Sequence, residues 1–97
     1  MKPNKVILTT DKEYTNEYQY IFEDLYKREI ELFCAWGKHC EQWEFAMDLY
    51  LTDPDRMDSS HHITTTSHID EPFEDVLNMA KLWPSENGNN EVETIKL

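Results

Sequence analysis

Residues 31–51, ELFCAWGKHCEQWEFAMDLYL, constrain the fold of this chain more than any other segment. The apolar run at residues 32–35 predicts a short buried strand, and residues 36–39 have the composition of a turn. Helical spacing of apolar residues begins at about Cys40. A strand, a turn and a helix in this order form half of a βαβ unit, and open α/β sheets bind ligands at the carboxyl ends of their strands. We therefore expect any pocket to be lined by residues 36–40, from Trp36 to Cys40.

A first strand and an amphipathic helix precede this segment. Residues 5–9 form an apolar run rich in β-formers, which is typical of a buried strand. Thr10 and Glu13 have the spacing of a capping box, so we expect the first helix to begin directly after them. Five apolar residues then share one helical face, which predicts a helix that packs on a sheet. They are Tyr14, Tyr18, Ile21, Phe22 and Leu25.

Two more strands and a third helix complete the predicted fold. Residues 61–68 are rich in β-branched side chains and predict the third strand, and the Asp-Glu-Pro sequence at 70–72 is typical of a helix start. A polar loop at 85–90 precedes residues 91–97, which we expect to be an edge strand or a frayed tail. The order βαβαβαβ predicts a single α/β domain over residues 1–97, a small two-layer or three-layer sandwich. Its sheet of three or four strands would be mostly parallel, in a flavodoxin-like 2-1-3 order or a linear one.

The charge of the chain disfavours nucleic acid and anionic membranes as partners. It has 20 acidic and 9 basic residues and a formal net charge of −11, which disfavours nucleic acid and anionic membranes and favours a basic protein. No apolar run approaches the roughly 18 residues of a membrane span, and the first apolar run is too short for a secretion signal. We therefore expect a cytoplasmic protein. Cys34 and Cys40 would be free thiols there, because two cysteines form no disulfide framework.

The predicted second helix has an apolar side and an acidic side. Its apolar side comprises Trp43, Ala46, Met47 and Tyr50. The acidic side and the loop after the helix contribute Glu41, Glu44, Asp48, Asp53 and Asp55. Charged residues on a helix most often do no more than remain hydrated. The alternative is a recognition face, because Phe45 lies beside these acids and aromatic residues bordered by charge are enriched in interfaces.

In size, charge and predicted fold class, the chain is similar to the barstar family of ribonuclease inhibitors, which cover a basic enzyme with an acidic helix and loop. No sequence motif is shared, so the likeness concerns fold and charge. It implies an immunity-type or antitoxin-type inhibitor of a basic protein, monomeric or weakly dimeric, that needs no cofactor. Electrostatic steering would speed association with such a partner by roughly tenfold to a thousandfold, less at high salt.

A small enzyme or ligand-binding domain is the competing hypothesis. The turns after three parallel strands would meet at one end of the sheet, and a cysteine and a histidine near an acid could serve as nucleophile and base. The residues that these turns contribute are Thr10, Trp36, His39, Cys40, Ser67, His68 and Asp70. We expect no metal there, because Cys34 and Cys40 lack the close pairing of structural zinc ligands.

The segment FCAWGKHC at residues 33–40 resembles the thioredoxin active site, in which a tryptophan precedes two cysteines separated by two residues. Gly37 occupies the position of the first, attacking cysteine. The proline expected before the later strand is missing as well. The resemblance therefore implies no redox activity.

Overall fold

The computed structural model describes residues 3–53, 63–84 and 91–97. The described residues form a four-stranded, all-parallel sheet and three α-helices, which confirms the α/β fold class. The strands are β1 (Lys5–Thr9), β2 (Leu32–Trp36), β3 (Thr64–His68) and β4 (Val92–Lys96). The helices are α1 (Gln19–Lys27), α2 (Cys40–Leu51) and α3 (Phe73–Leu82). Three predicted features lie wholly or partly outside the described residues: the loop at residues 85–90, Asp55, and residues 61–62 at the start of the predicted third strand.

The strand order is β3-β2-β1-β4, with helices on both faces of the sheet. Alternate residues of the strands point to opposite faces, so Val6 packs with α1 and α2 whereas Ile7 packs with α3. The crossovers through α1 and α2 lie on one face and move the chain steadily from β1 to β2 to β3, which is the linear alternative. The crossover through α3 uses the other face and returns to the free side of β1. The sandwich therefore has three layers.

Aromatic side chains fill the larger core, between the sheet and helices α1 and α2. Trp43 is fully buried, and its indole Nε1 donates to the carbonyl of Lys12 over 2.9 Å. The ring of Tyr14 stacks on Phe22 with centroids 5.4 Å apart and meets the edge of Trp43 at 5.1 Å. These contacts fasten the segment before α1 to the middle of α2.

This packing shows that the predicted start of the first helix was wrong. No helix follows Thr10 directly. A short 3-10 turn occupies Asn16–Tyr18, and α1 begins only at Gln19. The hydroxyl of Thr10 instead accepts from the backbone N–H of Lys12 over 3.0 Å, in a local turn. The segment stays non-helical because the Tyr14 ring and the Lys12 carbonyl are held against Trp43.

Arg28 anchors β4, which is an edge strand rather than a frayed tail. Its guanidinium donates to Glu93 in β4 over 2.8 Å and to the carbonyl of Pro3 over 2.9 Å, and it pairs with Asp24 at 3.5 Å. Only 13% of the Arg28 side chain is exposed, so this ion pair is better shielded from water than an ordinary surface pair.

Lys5 connects β1 to the end of α3. Its side chain is buried, and the ammonium donates to the carbonyls of Lys81 and Trp83. A cation at this position also complements the negative end of the helix dipole. Burial lowers the pKa of Lys5, and the nearby carboxylate of Glu31 opposes that effect. Within the described ranges, no helix is both long and apolar enough to cross a membrane.

Candidate functional site

A cavity of about 350 Å³ opens at the carboxyl ends of β1, β2 and β3, where the sequence predicted a pocket. We call it the strand-end cavity. Three of the predicted residues, Trp36, His68 and Asp70, line it. The remaining lining residues are Asp11, Gly37, Lys38, Ile69 and Glu71. Three of the seven predicted residues therefore line this cavity, and its composition is more acidic than expected.

Gly37 allows the turn after β2 to lie directly against the end of β1. Its φ angle of +132° belongs to a region that L-residues with side chains rarely adopt. A Cβ atom at this position would clash with the carbonyl oxygen of Thr10. The backbone N–H of Thr10 in turn donates to the carbonyl of Trp36 over 3.2 Å. A side chain at this position would therefore displace the backbone of Thr10, beside the cavity that Gly37 lines.

His68 lies at the centre of a hydrogen-bonded chain beside the cavity. Its Nδ1 is 2.8 Å from a carboxylate oxygen of Glu71, and its Nε2 is 2.8 Å from the hydroxyl of Thr66. Because an ionised carboxylate can only accept, Nδ1–H donates to Glu71, and in the neutral imidazole Nε2 is then the acceptor that faces the hydroxyl of Thr66. The indole N–H of Trp36 donates to the carbonyl of Glu71 over 2.7 Å and holds that residue in place. Only 12% of the His68 side chain is exposed.

The sequence did not indicate the contribution of Glu71. An acid directly before a predicted helix is explained by helix capping, so nothing marked it as a partner of His68. The one available signal was its position three residues after a histidine at a strand end. Asp70 between them has φ of +62°, so the chain turns sharply and brings Glu71 back to His68.

The two cysteines are placed in the core and not in the cavity. Cys34 lies under α3 and Cys40 is the first residue of α2, packed in the larger core; both are buried free thiols. Burial raises the pKa of Cys34 to about 11, although a hydrogen bond with Thr66 lowers that pKa in part. Burial also raises the pKa of Cys40. Since the thiolate is the reactive form, these surroundings disfavour a cysteine nucleophile.

Other predicted pocket residues do not join His68. Ser67 alternates to the opposite face of β3, and neither His39 nor Thr10 lines the strand-end cavity. Among the residues that the structure describes, no group of three histidine, cysteine or acidic side chains is arranged to hold a metal ion. The cavity chemistry therefore rests on His68, Glu71 and Trp36.

The second candidate surface is the solvent side of α2. Phe45 lies at its centre with 64% of its surface exposed, and Leu49, one turn later, is 56% exposed. On one side of them are Glu41 and Asp48, both exposed, with the half-buried Glu44. We call these five residues the α2 face. Asp53, half-buried, follows directly after the helix.

On the other side of Phe45, α2 borders a shallow depression. Its volume is about 430 Å³, and it lies between the helix and the segment that precedes α1. We call it the α2 depression. Its lining residues are Glu13, Tyr14, Gln42, Phe45, Ala46 and Leu49. Most of them are apolar, so this depression continues the apolar half of the α2 face.

The acids of the α2 face are not neutralised by the cations that the structure describes. Asp48 accepts a hydrogen bond from the hydroxyl of Thr65 in β3 over 2.6 Å, which turns its carboxylate towards that strand. No described lysine or arginine forms an ion pair with Glu41, Glu44 or Asp48. Among the described residues, these three carboxylates therefore carry charge that no lysine or arginine offsets.

Comparison with known proteins identifies the family of the chain. No curated protein and no solved structure matches it significantly. The sequence model of one family, described as a domain of unknown function (DUF7684), matches residues 1–96 of the 97. The chain therefore belongs to the DUF7684 family.

Proposed function

We propose that this protein binds a basic protein through the α2 face and acts as an immunity-type or antitoxin-type inhibitor. One observation carries the proposal: Phe45 and Leu49 are exposed on the same side of a helix whose acids have no described cationic partner. A protein gains nothing in folding from two large apolar side chains in water. A central aromatic anchor bordered by charge is the composition of an interface hot spot.

The two halves of the α2 face would contribute differently to binding. The carboxylates, with a net charge of −11 on the whole chain, would attract a cationic partner and raise the association rate. Fully burying an exposed phenylalanine or leucine side chain is worth about 1.5–3 kcal/mol, so Phe45 and Leu49 would chiefly slow dissociation. A small acidic domain suits a partner whose working surface is itself basic, because covering that surface blocks it.

Charge reversal on α2 tests the proposal. The variant carries Glu41→Lys and Glu44→Lys, which leave the hydrogen bond between Asp48 and Thr65 intact. The matched control carries Glu74→Lys and Asp75→Lys in the first turn of α3, on the other face of the sheet. Both pairs change the net charge equally. We expect a basic protein captured from a lysate of the native cell by the wild type to be lost with the α2 variant and retained by the control.

The capture experiment requires both variants to be folded, which circular dichroism and thermal denaturation would verify. Equal capture by the α2 variant and the wild type would contradict the proposal. Equal loss by both variants would also contradict it, because net charge and not the α2 face would then determine capture.

The hydrogen-bonded chain at the strand-end cavity favours a second candidate function, a small enzyme or ligand-binding domain. The connection of carboxylate to Nδ1 and of Nε2 to a hydroxyl is the arrangement by which an imidazole accepts a proton from a hydroxyl nucleophile. Glu71 takes the place that the sequence suggested for Asp70. A thermal-shift screen of small molecules tests this function, with His68→Ala as the variant. Stabilisation of the wild type that is lost in the variant would support it, and a screen without any stabilising ligand would reject it.

A further inference from the structure

We infer that the α2 depression receives an apolar side chain from a cationic amphipathic segment of the partner. This inference rests on the proposed inhibitor function and specifies the kind of surface that the partner presents. The depression is the apolar continuation of the α2 face, so a segment that covers Phe45 and Leu49 also reaches Ala46 and Tyr14.

The wall of the depression that Tyr14 forms is held in place before any partner arrives. On the side opposite α2, the Tyr14 ring is fixed by its stacking on Phe22 at 5.4 Å and by the edge of Trp43 at 5.1 Å. The Tyr14 backbone N–H donates to the side-chain carbonyl of Gln42 over 3.4 Å. The indole of Trp43 holds Lys12 in the same segment. A preformed site avoids the entropic cost of ordering its walls when a ligand binds.

The surroundings of the depression select positive charge next to the apolar side chain. Glu13 lies on its rim and is exposed, and Glu41 lies beyond Phe45 on the other side. A segment that inserts an apolar residue between them places its neighbouring residues near carboxylates, where lysine or arginine is favoured. A second copy of this chain is disfavoured as the occupant, because each copy carries a net charge of −11.

Two synthetic peptides test the inference with the whole protein. The first has leucine at helical spacing (i, i+3, i+4, i+7) and lysine at the other positions, and the second has serine in place of leucine, with the same charge. Binding is followed by backbone amide chemical shifts. We expect the leucine peptide to bind at least about tenfold more tightly than the serine peptide, because it buries an apolar side chain. The largest shift changes should fall at Tyr14, Gln42 and Ala46.

Two variants, at residues of similar solvent exposure, test where the leucine peptide binds. Leu49→Ser should reduce the affinity for the leucine peptide to that for the serine peptide. Tyr20→Ser is the control, since Tyr20 on α1 is 62% exposed and does not line the depression. Its affinity for the leucine peptide should equal that of the wild type.

The possible failures are distinguishable. Equal binding of the two peptides would overturn this inference and leave an acidic face that attracts cations, as the proposed function requires. Binding of neither peptide would count against both. Sedimentation that shows a dimer of the wild type, lost with Leu49→Ser, would identify a second copy as the occupant and would overturn the inference.

Discussion

The stability of this protein should fall at alkaline pH because Cys34 is buried. In the folded protein burial raises the pKa of its thiol to about 11, whereas the reference value for an exposed thiol is 9.0. Between these two pH values the unfolded chain releases the proton and the folded protein keeps it, so a rise in pH favours unfolding. The contribution of Cys34 to stability is complete below about pH 9 and is lost progressively as the pH rises to about 11 and beyond.

The size of the effect follows from the separation of the two pKa values. A difference of about 2 pH units corresponds to about 2.7 kcal/mol when the loss is complete, at about 1.4 kcal/mol for each unit. At about pH 11 the folded thiol is half ionised, and the loss is then about 2 kcal/mol. Single domains have free energies of unfolding of about 5–15 kcal/mol, so this loss is large enough to measure.

Urea denaturation followed by tryptophan fluorescence, from about pH 8 to about pH 11, measures the effect in the wild type and in Cys34→Ala. Other groups titrate in this range, including Tyr14, whose pKa is raised by burial, and Lys5. They titrate in both proteins, so the difference between the two free energies of unfolding isolates Cys34. We expect the advantage of the wild type to shrink by about 2 kcal/mol over this range. A constant difference would refute the reasoning.

Three substitutions test other contacts that hold the fold and the cavity in place. Gly37→Ala would force a Cβ atom against the Thr10 carbonyl and should lower the free energy of unfolding by about 3 kcal/mol in urea denaturation. Lys5→Met would leave two carbonyls at the end of α3 without their donor and should cost about 2 kcal/mol by the same measurement. Arg28→Ala would release Glu93 and should accelerate hydrogen exchange in β4 more than in β2, at a cost of about 2 kcal/mol. Unchanged stability in any of the three would contradict the contact that it tests.

The order of strands and helices could be predicted from the sequence because it depends on local patterns. The apolar run of β2 and the helical spacing in α2 each identify an element without information about the rest of the chain. The position of a pocket at the strand ends followed from the parallel connection of these elements. The start of α1 was predicted wrongly because it depends on contacts between residues that are distant in the sequence. A local capping pattern at Thr10 was overridden by contacts with Trp43, which lies more than thirty positions later in the sequence.

The composition of the candidate site depended on tertiary structure more than the order of strands and helices did. The sequence predicted that His68 lies at a strand end. Its hydrogen bond with Glu71, however, depends on the sharp turn at Asp70. It predicted Cys40 as a candidate nucleophile, and its burial in the core disfavours that role. The first outcome depends on the backbone turn at Asp70, and the second depends on how the first turn of α2 packs on the sheet. Sequence periodicity specifies neither.

The sequence by itself determined the fold class, the net charge and the polarity of α2, because each of these follows from composition or from the spacing of residues within one element. Tertiary structure alone decided three other features: the strand order, the hydrogen bond between Thr65 and Asp48, and the depression that Tyr14 and Ala46 help to line. These features join residues that are distant in the sequence. They arise only when the helices pack on the sheet, since packing selects which surfaces of separate elements come into contact.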